Sequence, residues 1–345
     1  MYNPALIIME IRLHRDFSEI EQSQWDALLS QSVTDVPFLR YGYLNHWWQN
    51  RGGGEWPPDA QLCILTGWDS GELKGISPFF SIQENGNKKG YLLGSIEISD
   101  YLDFIARSED LEIFIKSSLE YLSNNKGCAM SSLTLVNIPG RSPTNNLLQK
   151  FAPEYGWTVK VENAYHTPAI SLAGDWESYL AGIDKKQRHE IRRKLRKADE
   201  SSELKWYFAS DSAILDSEIN AFFDLMSFDE NKKKFLTSQM RDQMRAIIRW
   251  AFKEGYLQLS FLTINGTKAA GYLCFDYNSH IMVYNSGFDY RFSQYSPGWV
   301  LLGYLIQNAI ENKKRYFDFM RGDEEYKYRF GAVDGFVMRV ELYKS

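Results

Sequence analysis

Two stretches, LCILTGWDSGELKGISPFF at 62–80 and LSFLTINGTKAAGYLCFDY at 259–277, decide how the chain is organised. Each reads as a strand, a tight turn and a second strand. The turns are Asp69-Ser70-Gly71 and Asn265-Gly266, the second a strong hairpin signal because both central residues tolerate positive φ. Leu62 and Leu259, Leu65 and Leu262, and Thr66 and Thr263 align without a gap, and Gly75 meets Gly271 once one residue is dropped. One such hairpin in each half of a 345-residue chain predicts a repeat of two related α+β domains, each large enough for its own core.

Outward from the hairpins, Leu111, Phe114, Ile115, Leu119 and Leu122 recur at helical spacing behind a Ser108-Glu109-Asp110 start. Ile219, Phe222, Phe223 and Met226, then Met240, Met244, Ile247, Ile248 and Ala251, mark two more core-facing helices. Strand-like runs stand at 281–286, 316–320 and 336–343. Turn chemistry at 137–146 and 164–176 puts the boundary near 165. The expected domains are 1–165 and 166–345, the second opening with a basic helix.

Hydrophobic residues at 44% and charged residues at 24% are near globular averages, which excludes a disordered or fibrous chain; aromatics are high at 15%. Cys63, Cys128 and Cys274 lie far apart among apolar neighbours, so neither a disulfide framework nor a thiolate metal site is expected, and a reducing compartment is the simpler setting. The opening MYNPALIIMEIRLHRD has a short apolar run broken by Glu10 and no basic leader, so no signal peptide is expected. No run approaches about 18 apolar residues, so no membrane span is expected and the location is read as cytoplasmic. The five histidines, at 14, 46, 166, 189 and 280, have no metal-ligand spacing, and no metal is expected. Nucleophile-elbow, phosphate-loop and CxxC motifs are absent, which favours chemistry needing only positioning, a proton acceptor and a polarised carbonyl.

Four segments could carry such chemistry. KKQRHEIRRKLRK at 185–197 holds eight Lys/Arg and one Glu, a local +7 in a chain of net charge −5. Ile191, Leu195 and Ala198 form its docking stripe, and Arg192 and Arg193 are candidates for phosphate binding, against the alternative of a solvated face. Residues 284–314 read as a strand, a polar loop and a helix entered through Ser296-Pro297-Gly298, whose free N–H groups suit an anion. In 315–332, Asp318 interrupts Tyr316, Phe317, Phe319 and Met320; an alternating strand would put it on a face with Tyr316 and Met320, partnered by Arg321 or Lys327. In SDYLDFIA at 99–106, Asp100 and Asp103 flank Tyr101 as candidate acceptor-binding or basic groups, or as surface turn residues.

Trp25, Pro37-Phe38, Trp47-Trp48, the 62–80 hairpin, Ser99-Asp-Tyr-Leu-Asp103, the basic helix, Tyr284 to Asp289, Tyr295-Ser-Pro-Gly298, and Phe317-Asp-Phe-Met-Arg-Gly322 with Tyr326-Lys327 together resemble the GNAT-superfamily acyltransferases of the FemAB-like and CelD-like type. The resemblance spans nearly the whole chain. It implies tandem GNAT-like domains, each a mixed, mostly antiparallel sheet flanked by helices, and transfer of an acyl group from acyl-CoA or acetyl-CoA to an amine bound between them. It implies catalytic roles for Asp103, Asp318 and Lys327, donor contacts from Arg192, Arg193, Ser296, Pro297, Gly298 and Tyr326, and acceptor contacts from Asp100, Tyr101, Tyr284 and Arg321. The acceptor would be a small molecule or a glycan or peptidoglycan-precursor amine. The Gly-rich acetyl-CoA loop of the family is not intact here, so an aminoacyl-tRNA or acyl-carrier-protein donor, and a non-catalytic binding module in envelope or polysaccharide assembly, stand as alternatives.

Overall fold

The computed structural model describes residues 9–125, 129–172, 174–201 and 203–344; Cys128 lies outside them, and Cys63 and Cys274 are buried thiols outside any disulfide. The chain divides into two compact units, residues 1–165 with 336–345, and residues 166–335.

The first unit is built on β1 (Glu10–His14), β2 (Gln61–Asp69), β3 (Glu72–Glu84), β4 (Asn87–Leu92), β5 (Ile105–Ala106), β6 (Ser132–Pro139) and β7 (Trp157–His166), joined by the chain's last strand, Phe336–Lys344. The order is β1-β2-β3-β4-β6, then the last strand, then β7, with β5 beside β3. β1 to β4 meander antiparallel, whereas β4 and β6 pair in parallel over Lys89–Tyr91. The β2–β3 turn carries positive φ at Ser70 and Gly71. The last strand was expected in the second domain. Its Val337, Val340 and Leu342 are buried, on either side of a register shift between Met338 and Val340, and it pairs antiparallel with β6, so it completes the first sheet instead.

Helices α1 (Gln22–Leu29), α2 (Tyr41–Gln49), the single turn α3 (Arg51–Gly54), α4 (Ser108–Asn124) and α5 (Thr144–Phe151) accompany that sheet. α4 buries Leu111, Phe114, Ile115, Leu119 and Leu122, the stripe its sequence spacing predicts. Phe114 lies against two facing glycines of the β2–β3 hairpin, Gly67 and Gly75, where a Cβ would stand 2.5 and 2.2 Å from the ring.

The second unit contains β8 (Ala169–Ser171), α6 (Trp176–Ala181), α7 (Lys185–Asp199), β9 (Leu204–Phe208), α8 (Leu215–Met226), α9 (Glu230–Phe235), α10 (Ser238–Lys253), β10 (Leu257–Ile264), β11 (Thr267–Tyr277), β12 (His280–Phe288), α11 (Pro297–Glu311), β13 (Tyr316–Asp318) and α12 (Glu325–Arg329). Its strand order is β8-β13-β12-β11-β10-β9. Every neighbour is antiparallel except β12 and β13. Asn265 and Gly266 turn β10 into β11, both at positive φ. The core of the unit collects Ile191 and Leu195 from α7, Leu301 and Leu305 from α11, and Phe317 from β13. The expected strand over 316–320 stops at Asp318: Met320 takes φ +60° and is buried while Tyr316 is exposed, so the two do not share a face with Asp318.

Candidate functional site

The parallel pairing of β12 with β13 covers only His280–Met282, opposite Tyr316–Asp318. β12 then runs on to Phe288 beyond its partner, so the sheet opens at that end. The register with β11 slips between Leu273/Asn285 and Cys274/Val283, leaving Tyr284 as the extra residue of a bulge. Its ring packs edge-on against Phe275, centroids 5.4 Å apart. Just past the bulge, the Ser286 N–H donates to Asn285 Oδ1 and the Ser286 carbonyl accepts from Lys232 Nζ at 2.5 Å. Burial pulls the Lys232 ammonium below its usual pKa.

Beyond β12 the chain makes a 3-10 turn over Tyr290–Tyr295 and enters α11 through Ser296, held at φ +51°. Pro297 occupies the first turn, no side chain caps the helix, and no acid lies in that turn. The helix N-terminus therefore offers positive dipole and backbone N–H groups. Gly298 contributes a carbonyl that accepts the Tyr272 hydroxyl at 3.3 Å.

α7 lies against α11. Asp184 caps its first turn, accepting from the Lys186 and Gln187 N–H groups, and Leu195 sits where a side chain at Gly303 would stand. Lys194 Nζ lies 4.5 Å over the Trp299 ring, and Tyr304 donates to Asp199 at 2.5 Å. Between α7 and the entrance of α11 is a small surface cleft, with Arg193, Lys194 and Lys197 on one wall and Gln294, Tyr295 and Ser296 on the other. Arg193 and Ser296 thus come together. Arg192 does not join them: it pairs with Glu177 on α6. Lys194 and Lys197 were not singled out from the sequence, although their spacing of three, with Arg193 four before Lys197, places all three on one helix edge.

The segment 318–327 forms a loop stapled by Lys327. That side chain is buried and its Nζ donates to the carbonyls of Arg321 at 2.8 Å and Gly322 at 3.1 Å and to Glu324 Oε2 at 2.9 Å. Three acceptors match the three ammonium protons, and Lys327 therefore does not partner Asp318. Glu324 is the exchangeable member, with 59% of its side chain exposed. Gly322 takes φ +114° and donates to the His166 carbonyl; a Cβ there would meet the Glu324 carboxylate at 2.4 Å. Asp318 is half-buried and accepts from the Met320 N–H at 2.7 Å. Tyr326 packs on Phe319, and burial pushes its phenol well above the usual value.

Asp103 behaves differently from its expected role as a proton acceptor. It belongs to the first unit, is fully buried, and accepts from the hydroxyls of Thr34, Ser142 and Thr144, each at 2.6 Å, and from the Phe104 N–H at 2.8 Å. Burial nonetheless raises its pKa above the usual carboxylate range. A carboxylate so enclosed and bonded is a structural brace for the loop, out of reach of an acceptor amine. Asp100, half-buried, and Tyr101, buried, lie in the same irregular segment. That segment is fixed by Asn137, whose Nδ2 donates to the Ser99 carbonyl at 2.7 Å and whose own carbonyl accepts from the Leu102 N–H. Among the described residues, no group of three or more His, Cys, Asp or Glu could hold a metal ion, and no helix is long and apolar enough to cross a membrane.

Residues 185–328, from the first residue of α7 into α12, match the family described as an acetyltransferase (GNAT) domain. The matched segment lies wholly within the second unit. None of the curated proteins matches the sequence. Among solved structures, the chain is similar to a conserved protein of unknown function from Bacteroides thetaiotaomicron VPI-5482, with 13% identity, a TM-score of 0.62, and coverage of 97% of this chain and 100% of that one. It is similar to FemX, with 12% identity and a TM-score of 0.54 over 96% and 97% of the two chains. It is also similar to a tandem GNAT protein from the clavulanic acid biosynthesis pathway, with 10% identity and a TM-score of 0.50 over 96% and 98%. At such identities the likeness is one of fold, and the two mixed sheets flanked by helices are consistent with tandem GNAT-like domains.

Proposed function

We propose that this chain is an N-acyltransferase of the FemAB-like and CelD-like type that moves an acyl group from acyl-CoA to an amine. The observation that carries the reading is the meeting of the α7 cations with the uncapped start of α11, inside the segment that matches an acetyltransferase domain. A pyrophosphate suits that cleft, since Arg193, Lys194 and Lys197 bring charge and the first turn of α11 brings N–H groups. Glu190, which bridges Arg193 and Lys194, would exchange those partners for the donor.

The open end of β12, at the Tyr284 bulge, is where the acyl carbonyl would lie. A neutral amine attacks that carbonyl, the C–N bond forms, the C–S bond breaks, and the CoA thiolate leaves. Asp318 takes the proton released by the amine. Lys327, exchanging Glu324 for the substrate, steadies the oxyanion. Arg321 and Tyr284 border the acceptor. The acceptor is a small-molecule or peptidoglycan-precursor amine.

A second reading, an aminoacyl-tRNA donor, is favoured by the exposed Lys185, Lys186 and Arg196, cations of α7 outside the cleft that a pyrophosphate does not need. Calorimetric titration with acetyl-CoA, a longer acyl-CoA and aminoacyl-tRNA tests both. Saturable, salt-sensitive acyl-CoA binding is expected; binding of aminoacyl-tRNA alone selects the second reading, and silence from all three leaves a non-catalytic binding module. Lys327→Ala is expected to lower turnover with the far-UV spectrum unchanged, and an unaffected rate removes Lys327 from the mechanism.

A further inference from the structure

We infer that the first unit carries a ligand site of its own, in which the guanidinium of Arg51 receives a phosphate or carboxylate whose carrier lies against Trp56 and Tyr91. The inference does not depend on the transfer reading. Its frame is the turn Arg51-Gly52-Gly53-Gly54, four successive residues at φ of +50°, +63°, +79° and +86°. Three glycines adopt that conformation without penalty; Arg51 does not.

The turn sets the arginine flat on an indole. The Arg51 guanidinium carbon stands 3.7 Å from the centroid of Trp48, and Nη1 donates to the Trp48 carbonyl at 2.5 Å. The Nε–Nη2 edge is left over, the pair of parallel N–H groups that grips a two-oxygen face of a carboxylate or phosphate. Nε is buried without an acceptor, and the hydrogen bond the guanidinium makes is the one to the Trp48 carbonyl. Burial lowers the Arg51 pKa, so the cation gains from an anion brought beside it.

Two further donors at this place are unspent. Trp47 and Ser95 are both fully buried, and neither Trp47 Nε1 nor Ser95 Oγ has a hydrogen-bond partner. Trp47 Nε1 lies 3.1 Å from the position a Gly52 Cβ would take, so the indole rests on the same turn. The Ser95 carbonyl accepts from Trp56 Nε1 at 2.6 Å. Trp56 stands 4.7 Å from Tyr91, and both are half-buried. Glu55, the nearest acid in sequence, turns its carboxylate to the Ile96 and Glu97 N–H groups. Buried donors without partners are rare in folded proteins. Arg51 Nε and two such donors on adjoining segments call for acceptor oxygens, which a cationic or purely apolar ligand cannot supply.

The test follows the indole and Arg51 Nε N–H signals of the full ¹⁵N-labelled chain by NMR during titration with phenyl phosphate, benzoate and neutral benzyl alcohol. Saturable shifts of the Trp47 and Arg51 signals are expected with at least one anion and none with the alcohol, and the tighter anion identifies phosphate or carboxylate as the natural group. Arg51→Met is expected to weaken that binding roughly tenfold or more. Arg51→Lys, which keeps the charge without the fork, weakens it as well. Silence of both anions overturns the site, as does equal binding by wild type and a folded Arg51→Met. Should Arg51→Met fail to fold, equal binding by Arg51→Lys overturns the fork.

Discussion

The two sheets are built on one plan and start their crossover helices in opposite ways. In each, three antiparallel steps lead to a parallel pair, β4 with β6 and β12 with β13, and a long helix joins the paired strands, α4 in the first unit and α11 in the second. α4 opens with Glu109 and Asp110 in its first turn, and Asp110 faces Arg107 at 3.7 Å. α11 opens with no acid in its first turn and looks across at Arg193, Lys194 and Lys197. β4 ends one residue past its parallel partner, whereas β12 runs six residues on. One helix start is neutralised by its own sequence and the other is not, so the shared plan carries different electrostatics at the two turns.

The largest expected effect separates two carboxylates that look alike in the sequence. Asp103→Ala strands three buried hydroxyls and a backbone N–H, and is expected to cost about 3 kcal/mol or more of stability by urea denaturation. Asp318→Ala, at a half-buried site, is expected to cost under about 1 kcal/mol while lowering turnover. Equal destabilisation by the two would erase the distinction between brace and site.

Next in size is the pair of aligned glycines. Gly75→Ala drives a Cβ into the Phe114 ring of α4, an overpacking expected to cost about 1–3 kcal/mol. A Cβ at Gly271 would stand 3.1 Å from Phe222, a contact relieved by a small shift, so Gly271→Ala is expected to cost less. Thermal melts of the two variants check it; a reversed order would mean that Phe114 does not rest on Gly75.

The hairpins were legible because turn chemistry and aligned apolar residues act within twenty residues. So was the docking stripe of α7, where Ile191, Leu195 and Ala198 are buried as their spacing requires. The placement of Phe336–Lys344 was not, because pairing with β6 is a contact across some two hundred residues, and local alternation says only that a strand forms. The enclosure of Asp103 depends on Thr34, Ser142 and Thr144 arriving from distant segments. Arg51 was missed for a different reason: a Gly-rich stretch reads as a flexible turn, and nothing local announces that it lays a guanidinium on Trp48. Lys232 carries no signal in the sequence either, because its partner, the Ser286 carbonyl, arrives from β12 more than fifty residues away.

The cationic wall gives a smaller effect and a control. Lys194→Glu with Lys197→Glu is expected to weaken acyl-CoA binding by about tenfold at low salt and less at high salt, since a few screened charges are involved. Arg192→Glu, directed at Glu177 and away from the cleft, is expected to change it by less than about threefold. Calorimetry at two salt concentrations reads both, and equal losses would return α7 to a generally attractive surface.

The smallest effect bears most directly on the comparison of helix starts. Removing the charges of Glu109 and Asp110, as Glu109→Gln with Asp110→Asn, takes away the groups that complement the α4 dipole; about 0.5 kcal/mol of stability should be lost by urea denaturation. The reciprocal change, Gly298→Asp, puts a carboxylate into the first turn of α11. The same electrostatics make that change neutral or favourable for the helix and unfavourable for an anionic donor. Donor binding should therefore be unchanged by Gly298→Asp only if the α11 N-terminus holds no part of the donor. Opposed signs, with the helix unharmed and acyl-CoA binding lost, would show that the second unit forgoes an internal acid at this turn because a phosphate takes that place.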